Sequence, residues 1–347
     1  MKKSVKNPYI SLMKLAASCL VVLAHITFSG NLGYLMESSI VRIAVPFFCA
    51  ISGYYSYNTN ANRFPKRIKK LFFVLLFTVV FYLFCLAWSN NALPGHGFRE
   101  YLASLISIEQ AARYILLDDM SGYWSFHMWY ISAEIKVYAA LLIYEIFTDN
   151  RHNYKPLYLM AASAFMFFIA FGINSVASGQ YYSVSMTRNS LFYVFPMFML
   201  GVFLHQYEKI IIERFRLTKF RLMLVIIAGF MISLLECYGI GKSELPLGML
   251  PVVSALILLL TGFPIPDTAL TDRLTVHIQD LETMSLIVYI VHSAVNLFCL
   301  KLYNYGKLDV SRQIYPLVVL AVSVGTAILC CLIRRSFSFI MRKVQAA

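Results

Sequence analysis

Long apolar stretches alternate with short polar connections along most of this chain. Each stretch is close to the ~20 residues that an α-helix needs to cross the hydrocarbon core of a bilayer. The pattern therefore predicts an all-α, polytopic transmembrane bundle of about ten spans, which we treat as one membrane domain covering residues 1–347. The predicted spans are 9–29, 39–58, 68–89, 127–147, 156–174, 188–206, 219–239, 247–263, 281–303 and 314–334.

Composition and charge agree with this pattern. Of the 347 residues, 59% are hydrophobic and 14% are charged, whereas soluble domains carry about 25% charged residues. The net charge of +13 comes from Lys and Arg clusters in every second connection, which is the distribution that orients membrane spans. Both termini are therefore predicted to be cytoplasmic. A nucleic-acid partner is not expected, and no spacing typical of a metal site is present.

The longest predicted external connection covers residues 90–126. Its apolar residues recur at helical spacing with charges between them. We interpret it as a helix that lies in the membrane interface or re-enters the membrane as a lid.

Several ionisable side chains fall inside predicted spans, where they are costly and usually functional. Lys14 and His25 stand eleven residues apart, which places them on one helix face about 16 Å apart. Arg42 opens the second span and is expected close to His25 across a short loop. Further polar candidates at comparable positions are Trp129, Glu134, Lys136, Arg188, Asn189 and His292. The set predicts a polar cavity inside the bundle.

Structural explanations stand beside the functional ones. Lys14 and Arg188 lie near span ends, from which long cationic side chains reach lipid headgroups. Trp129 is typical of the aromatic belt at a membrane interface. Ser52 and Gly53 are also typical of closely packed helices.

Ordered blocks of sequence resemble the acyltransferase-3 family of multispan membrane acyltransferases. The resemblance extends from about residue 8 to residue 293. The blocks are Ser11 to His25, Arg42 to Gly53, Lys66 to Lys70, His127 to Tyr130, Arg188 to Gly201, and Ser285 to His292.

The resemblance implies a reaction and roles for particular residues. An acyl group, most often acetyl, would pass from cytosolic acyl-CoA to a hydroxyl or amine of a cell-surface glycan, lipid or peptidoglycan unit. Acyl-CoA would be the donor substrate, with no bound cofactor. His25 corresponds to the presumed catalytic histidine, Arg42 to the arginine that opens the second span, and Lys14 to the basic residue before the histidine. Many members carry aspartate where this chain has Ser11, so Lys14 is expected to have a different partner.

Acyl transfer from a thioester needs a base and a group that stabilises the tetrahedral oxyanion. We assign the first role to His25 and the second to Arg42, with Arg188 or Asn189 as helpers; a covalent acyl-histidine intermediate remains open. Lys14 and the basic cluster around Arg67 are predicted to hold the nucleotide end of the donor. The predicted substrate-binding residues are Lys14, Ser52, Arg67, Trp129, Glu134, Arg188, Asn189, Tyr289 and His292.

A second class of function stays open. Similar membrane domains occur in vancomycin-resistance serine racemases, where the resemblance implies amino-acid handling or uptake, and a cavity with His25, Arg42, Arg188 and Glu134 suits a zwitterion. Those proteins carry an additional racemase domain, and the end of this chain soon after its last span favours the stand-alone enzyme. An inactive scaffold is the third alternative. The expected location is a bacterial plasma membrane, and the acceptor and any homo-oligomer are left open.

Overall fold

The computed structural model describes residues 7–89, 107–120, 126–149, 151–178, 187–241 and 243–346. Every regular element within these ranges is helical, which confirms the predicted all-α class. In chain order the helices are α1 (Pro8–His25), α2 (Gly30–Ser38), α3 (Ala44–Tyr54), α4 (Phe64–Ser89), α5 (Ile108–Leu117), α6 (Trp129–Phe147), α7 (Lys155–Ser178), α8 (Phe195–Arg214), α9 (Lys219–Ile240), α10 (Met249–Thr261), α11 (Ala269–Val276), α12 (Ile278–Asn304) and α13 (Tyr315–Ala346). Short 3₁₀ turns occur at Ile40–Ile43, Ala61–Arg63 and Phe126–Met128, and a π-helical turn occurs at Ser190–Val194.

The helices are long and apolar enough to confirm most of the predicted spans. Among the described residues, eight segments qualify by length and composition: Pro8–His25, Gly30–Tyr54, Ala61–Cys85, Lys155–Asn174, Ser190–Arg214, Lys219–Gly239, Ile278–Asn304 and Tyr315–Ser338. The predicted span 127–147 is a helix too, but it carries Glu134, Lys136 and Glu145. The predicted span 247–263 contains only the 13-residue α10 between Gly248 and Gly262. That helix is about 20 Å long, shorter than the ~30 Å hydrocarbon core.

The chain divides into two compact units. The first consists of Met1–Phe48 and Ile212–Ala347, and the second of Cys49–Ile211. The prediction of a single domain over 1–347 is not tested by this division.

Helix α1 organises the first unit, where it packs against α12, α13, α11 and the turn Ile40–Ile43. The apolar part of this contact includes Val22, Ile26 and Val288. Where α1 meets α12, the Ser18 hydroxyl donates to the Ser285 carbonyl at 2.8 Å. Small hydroxyl residues let two membrane helices approach closely and bond to each other, so α1 is held along its length.

A pair of glycines sets the close approach of α3 and α8 in the second unit. A Cβ added at Gly53 would collide with the carbonyl of Phe198, and one added at Gly201 would collide with the carbonyl of Ala50. The packing interpretation of Gly53 is thereby confirmed. The same unit contains the contact between α4 and α6.

Two contacts between span ends and connections follow the predicted alternation of sides. On the side predicted to be external, Arg42 bonds to Glu244. On the side predicted to be cytoplasmic, the hydroxyl groups of Tyr9 and Thr271 lie 2.8 Å apart. Each contact joins the end of one span to a connection that the charge distribution places on the same side.

Candidate functional site

The catalytic candidate His25 is the last residue of α1 and is half-buried. Its ring is stacked on that of His292, with ring centroids 5.2 Å apart and an interplanar angle of 19°. The two histidines are 267 positions apart in sequence, so only the packing of α1 against α12 brings them together. The structure thus joins two of the predicted site residues.

His292 is fully buried and has a fixed ring orientation. Its Nδ1 lies 2.8 Å from the carbonyl oxygen of Tyr289. A carbonyl only accepts hydrogen bonds, so Nδ1 carries the proton and Nε2 is the basic nitrogen of the neutral ring. Tyr289, the third predicted residue of this group, is itself buried and places its ring centroid 6.3 Å from that of His292.

Arg42 lies in the 3₁₀ turn that packs against α1. Its Nη1 donates to Glu244 Oε2 at 3.0 Å, and its Nε donates to the Glu37 carbonyl at 2.9 Å. The Glu37 carboxylate lies 4.0 Å from Nη2. The expected proximity of Arg42 to His25 is supported by the contact between their elements and stays a prediction for the side chains. Sequence reasoning missed both glutamates, because nothing in their spacing points to Arg42.

Lys14 is half-buried in α1, three turns before His25. The Ser285 hydroxyl donates to its backbone carbonyl at 3.0 Å. One continuous helix therefore carries both Lys14 and His25, and the spacing of about 16 Å along its axis holds.

In the second unit, the structure brings Arg67 to the end of α3. The Arg67 guanidinium bonds to the Ser56 hydroxyl and donates to the Tyr55 carbonyl at 2.9 Å. It also lies 5.5 Å from the ring centroid of Tyr138. A guanidinium over an aromatic face with fixed acceptors is a stable arrangement, so Arg67 holds this segment in place.

Glu134 and Ser52 belong to the same region of the second unit. Glu134 is buried in α6, one turn from Tyr130 and one turn from Tyr138. Both tyrosine hydroxyls have Ser52 as a hydrogen-bonding neighbour and Glu134 as a nearby charge. Three predicted residues, Ser52, Arg67 and Glu134, thus gather around two tyrosines that the sequence did not single out.

The remaining candidates lie around the π-helical turn of the second unit. The Asn189 side-chain oxygen accepts from the amides of Leu191 and Phe192 at 3.0 and 2.8 Å, so it caps this turn. This use of the oxygen provides a structural explanation for Asn189. Trp129 meets Tyr193 edge to face, with centroids 5.5 Å apart. Arg188 is half-buried just before the turn.

Asp118 is the buried charge that sequence reasoning missed in this unit. Its side chain is fully buried and pairs with Lys136 at 2.5 Å. Asp118 follows α5 in the predicted lid region, where an acidic residue looks like one more solvated charge. Residues 90–106 and 121–125 of the predicted connection 90–126 lie outside the described residues.

The described residues of the first unit offer proton-transfer chemistry. The stacked histidines of this unit provide an imidazole that can accept and donate a proton, and it lies beside the apolar contact between α1 and α12. Within the part of the chain that the structure describes, no group of three or more His, Cys, Asp or Glu side chains is placed to hold a metal ion.

Comparison with known proteins identifies the family. A family model described as an acyltransferase domain matches residues 7–335. The chain is also similar to a serine/alanine racemase of Enterococcus gallinarum, with 26% identity over 277 residues that cover 72% of this chain and 36% of the relative. The chain thus spans about a third of that relative's length. No solved structure matches. Because the family model covers nearly the whole chain, this protein belongs to the acyltransferase-3 family of membrane proteins.

Proposed function

We propose that this protein transfers an acyl group, acetyl in the simplest case, from acyl-CoA to a hydroxyl group of a cell-envelope glycan, peptidoglycan unit or lipid-linked acceptor. The proposal includes a location in a bacterial plasma membrane. The observation that carries it is the stacking of His25 on His292 at the end of α1, in a chain of the acyltransferase-3 family.

His25 acts as general base in this proposal. Its imidazole takes the proton of the acceptor hydroxyl while the acceptor oxygen attacks the thioester carbonyl carbon. The tetrahedral oxyanion then collapses, the carbon–sulfur bond breaks, and the thiolate of coenzyme A takes the proton from the imidazolium. The products are an acyl ester and free coenzyme A, with His25 restored.

Arg42 is the proposed stabiliser of the oxyanion, with its geometry set by the Glu244 carboxylate and the Glu37 backbone carbonyl. A guanidinium has five N–H donors, of which Nε donates to the Glu37 backbone carbonyl and Nη1 to the Glu244 carboxylate. The two contacts fix the plane of the guanidinium, which favours an orienting role for the glutamates. Donors held in advance stabilise an oxyanion without having to reorganise.

The test is label transfer from radiolabelled acetyl-CoA into the envelope fraction of membranes that contain the protein. We expect His25→Ala to lower the transfer rate by about 10²–10⁴-fold, the usual contribution of a general base. His277→Ala is the matched control, because His277 is an exposed histidine bonded to Asp280 and Arg335 on the side predicted to be cytoplasmic. Wild-type transfer by His25→Ala would refute the assignment.

A second candidate is the uptake of a serine-like amino acid, which the similarity to the serine/alanine racemase favours. Accumulation of labelled serine by whole cells separates the two functions. Uptake that depends on the protein, without any acyl transfer, would support this candidate and exclude the enzymatic proposal.

A further inference from the structure

The second unit contains a row of aromatic rings on the side predicted to be cytoplasmic. We call it the aromatic row, formed by Tyr54, His205, Tyr57 and Tyr154. The His205 ring centroid lies 4.4 Å from that of Tyr54 and 4.9 Å from that of Tyr57. Tyr57 in turn lies 5.7 Å from Tyr154. The rings come from three separate parts of the chain: the end of α3 with the connection after it, the connection after α6, and α8.

The row combines a rigid base with an accessible surface. Tyr54 and Tyr154 are buried, Tyr57 is half-buried and His205 is exposed. The Tyr54 hydroxyl donates to the Glu208 carboxylate at 2.8 Å, and this bond fixes the buried part of the row. Burial and the nearby Glu145 carboxylate raise the pKa of the Tyr154 phenol, so this ring of the row stays uncharged near pH 7.

The orientation of His205 is set by one hydrogen bond. Its Nδ1 lies 2.8 Å from the Tyr54 carbonyl oxygen. Nδ1 therefore carries the proton of the neutral ring, and Nε2 is the acceptor nitrogen. An exposed ring fixed in this way offers both a flat face and a hydrogen-bond acceptor.

The segment that carries Tyr57 is also held in place. Arg67 bonds to the Ser56 hydroxyl and the Tyr55 carbonyl immediately before it. The Arg67 guanidinium thus makes two contacts within the protein, and its role in holding phosphates stays a prediction.

Exposed cations flank each part of the row. They outnumber the acidic residues of the same three segments, which are Asp149, Glu208 and Glu213. The exposed basic residues are Arg63, Lys66, Arg151, Lys155 and Lys209. A rigid aromatic surface among cations is suited to a ligand that is flat at one end and carries several negative charges.

We propose that the aromatic row binds the nucleotide end of coenzyme A, with the adenine ring on Tyr57 and His205 and the phosphates among the exposed cations. The inference rests on the proposed function, because that function supplies acyl-CoA as the donor. Adenine has an exocyclic amino group that can donate to His205 Nε2, and base–aromatic stacking contributes to binding at many nucleotide sites.

Anionic lipid headgroups are the main competing ligands for basic residues on this side of a membrane. They need charge alone and gain nothing from an exposed flat ring. The aromatic component therefore favours the nucleotide, and the experiment separates the two.

The test measures binding of coenzyme A to the full chain, purified in nanodiscs of neutral lipid, by isothermal titration calorimetry. Adenosine 3′,5′-bisphosphate and phosphopantetheine serve as half-ligands. We expect the bisphosphate to compete with coenzyme A, and Tyr57→Leu and His205→Leu each to weaken coenzyme A binding by about 5–100-fold, the range typical of one stacking partner. Tyr57→Phe should retain binding because it keeps the ring.

Controls distinguish the possible failures. Tyr305→Leu changes an exposed tyrosine of the first unit and should bind as wild type. Thermal unfolding of each variant verifies folding, and a double Lys155→Glu, Lys209→Glu variant tests the charges without touching the rings.

Equal binding by wild type, Tyr57→Leu and His205→Leu would overturn the inference and leave the proposed function standing. Absence of coenzyme A binding by the wild type would contradict the donor assignment and with it the inference. Loss of binding only when anionic lipid is added would identify the cations as a lipid site and overturn the inference.

Discussion

Lys136 and Asp118 form an ion pair that joins three segments of the second unit. Lys136 Nζ lies 2.5 Å from Asp118 Oδ1 and also donates to the carbonyls of Tyr114 and Ile115 at 2.6 and 3.0 Å. Asp118 Oδ2 accepts from the Ser190 amide at 2.7 Å. These two charges therefore fix three elements to one another: the last turn of α5, the second turn of α6 and the π-helical turn.

Breaking this pair should destabilise the protein. Lys136→Met leaves a fully buried carboxylate without its cation, and removing one partner of a buried pair costs about 3–5 kcal/mol. We expect a loss of stability near the low end of this range, because the Lys136 side chain is 27% exposed. Asp118→Asn should cost less, since an amide still accepts from Ser190. Thermal unfolding in detergent measures the effect, and the double variant should lose less stability than the sum of the two single changes. Strict additivity would contradict the pairing.

The glycine contact between α3 and α8 makes a steric prediction. Gly53→Ala and Gly201→Ala each place a methyl group against a backbone carbonyl, and overpacking of this kind costs about 1–3 kcal/mol. Gly172→Ala is the matched control within α7, where a Cβ meets no atom within 4 Å. Its midpoint of thermal unfolding should equal or exceed that of wild type. Unchanged midpoints of thermal unfolding for both Gly53→Ala and Gly201→Ala would show that α3 and α8 can move apart at little cost in stability.

The Arg42–Glu244 contact allows a test that separates structure from catalysis. Arg42→Gln leaves Glu244 without the cation at 3.0 Å, so both stability and acyl transfer should fall. In the double variant Arg42→Gln, Glu244→Gln, stability should recover because the uncompensated carboxylate is gone. Acyl transfer should stay low, because the proposed oxyanion stabiliser is still absent. Recovery of transfer along with stability would mean that Arg42 has a structural role only.

His292 is expected to act as a positioning residue for His25. His292→Phe keeps a flat ring opposite His25 but removes the bond to the Tyr289 carbonyl. We expect kcat for acyl transfer to fall by about tenfold while the KM for acetyl-CoA changes little, because only the imidazole is misplaced. Steady-state kinetics with membranes that contain each variant measure kcat and KM separately and check this expectation. A rise in KM with unchanged kcat would instead place His292 in donor binding.

Much of the architecture was predictable because membrane helices obey local rules. A stretch of apolar residues must satisfy its own backbone hydrogen bonds inside lipid, so span positions such as Pro8–His25 follow from composition alone. Residues inside those spans, including His25, His292 and Glu134, stand out in the sequence because burying an ionisable group in a membrane is costly. The boundaries of α10 were less predictable, since the glycines at Gly248 and Gly262 limit it.

By itself, the sequence determined the helical class, the alternation of basic and neutral connections, and which polar residues enter the spans. The tertiary structure alone decided their partners: that His25 meets His292, that Arg42 meets Glu244, and that Asp118 is buried against Lys136. The physical reason is that these pairs join residues that are distant in sequence or separated by a turn, through side-chain contacts that no helical period encodes. The rotation of each helix about its axis, and therefore the identity of each pair, results from packing over the whole unit.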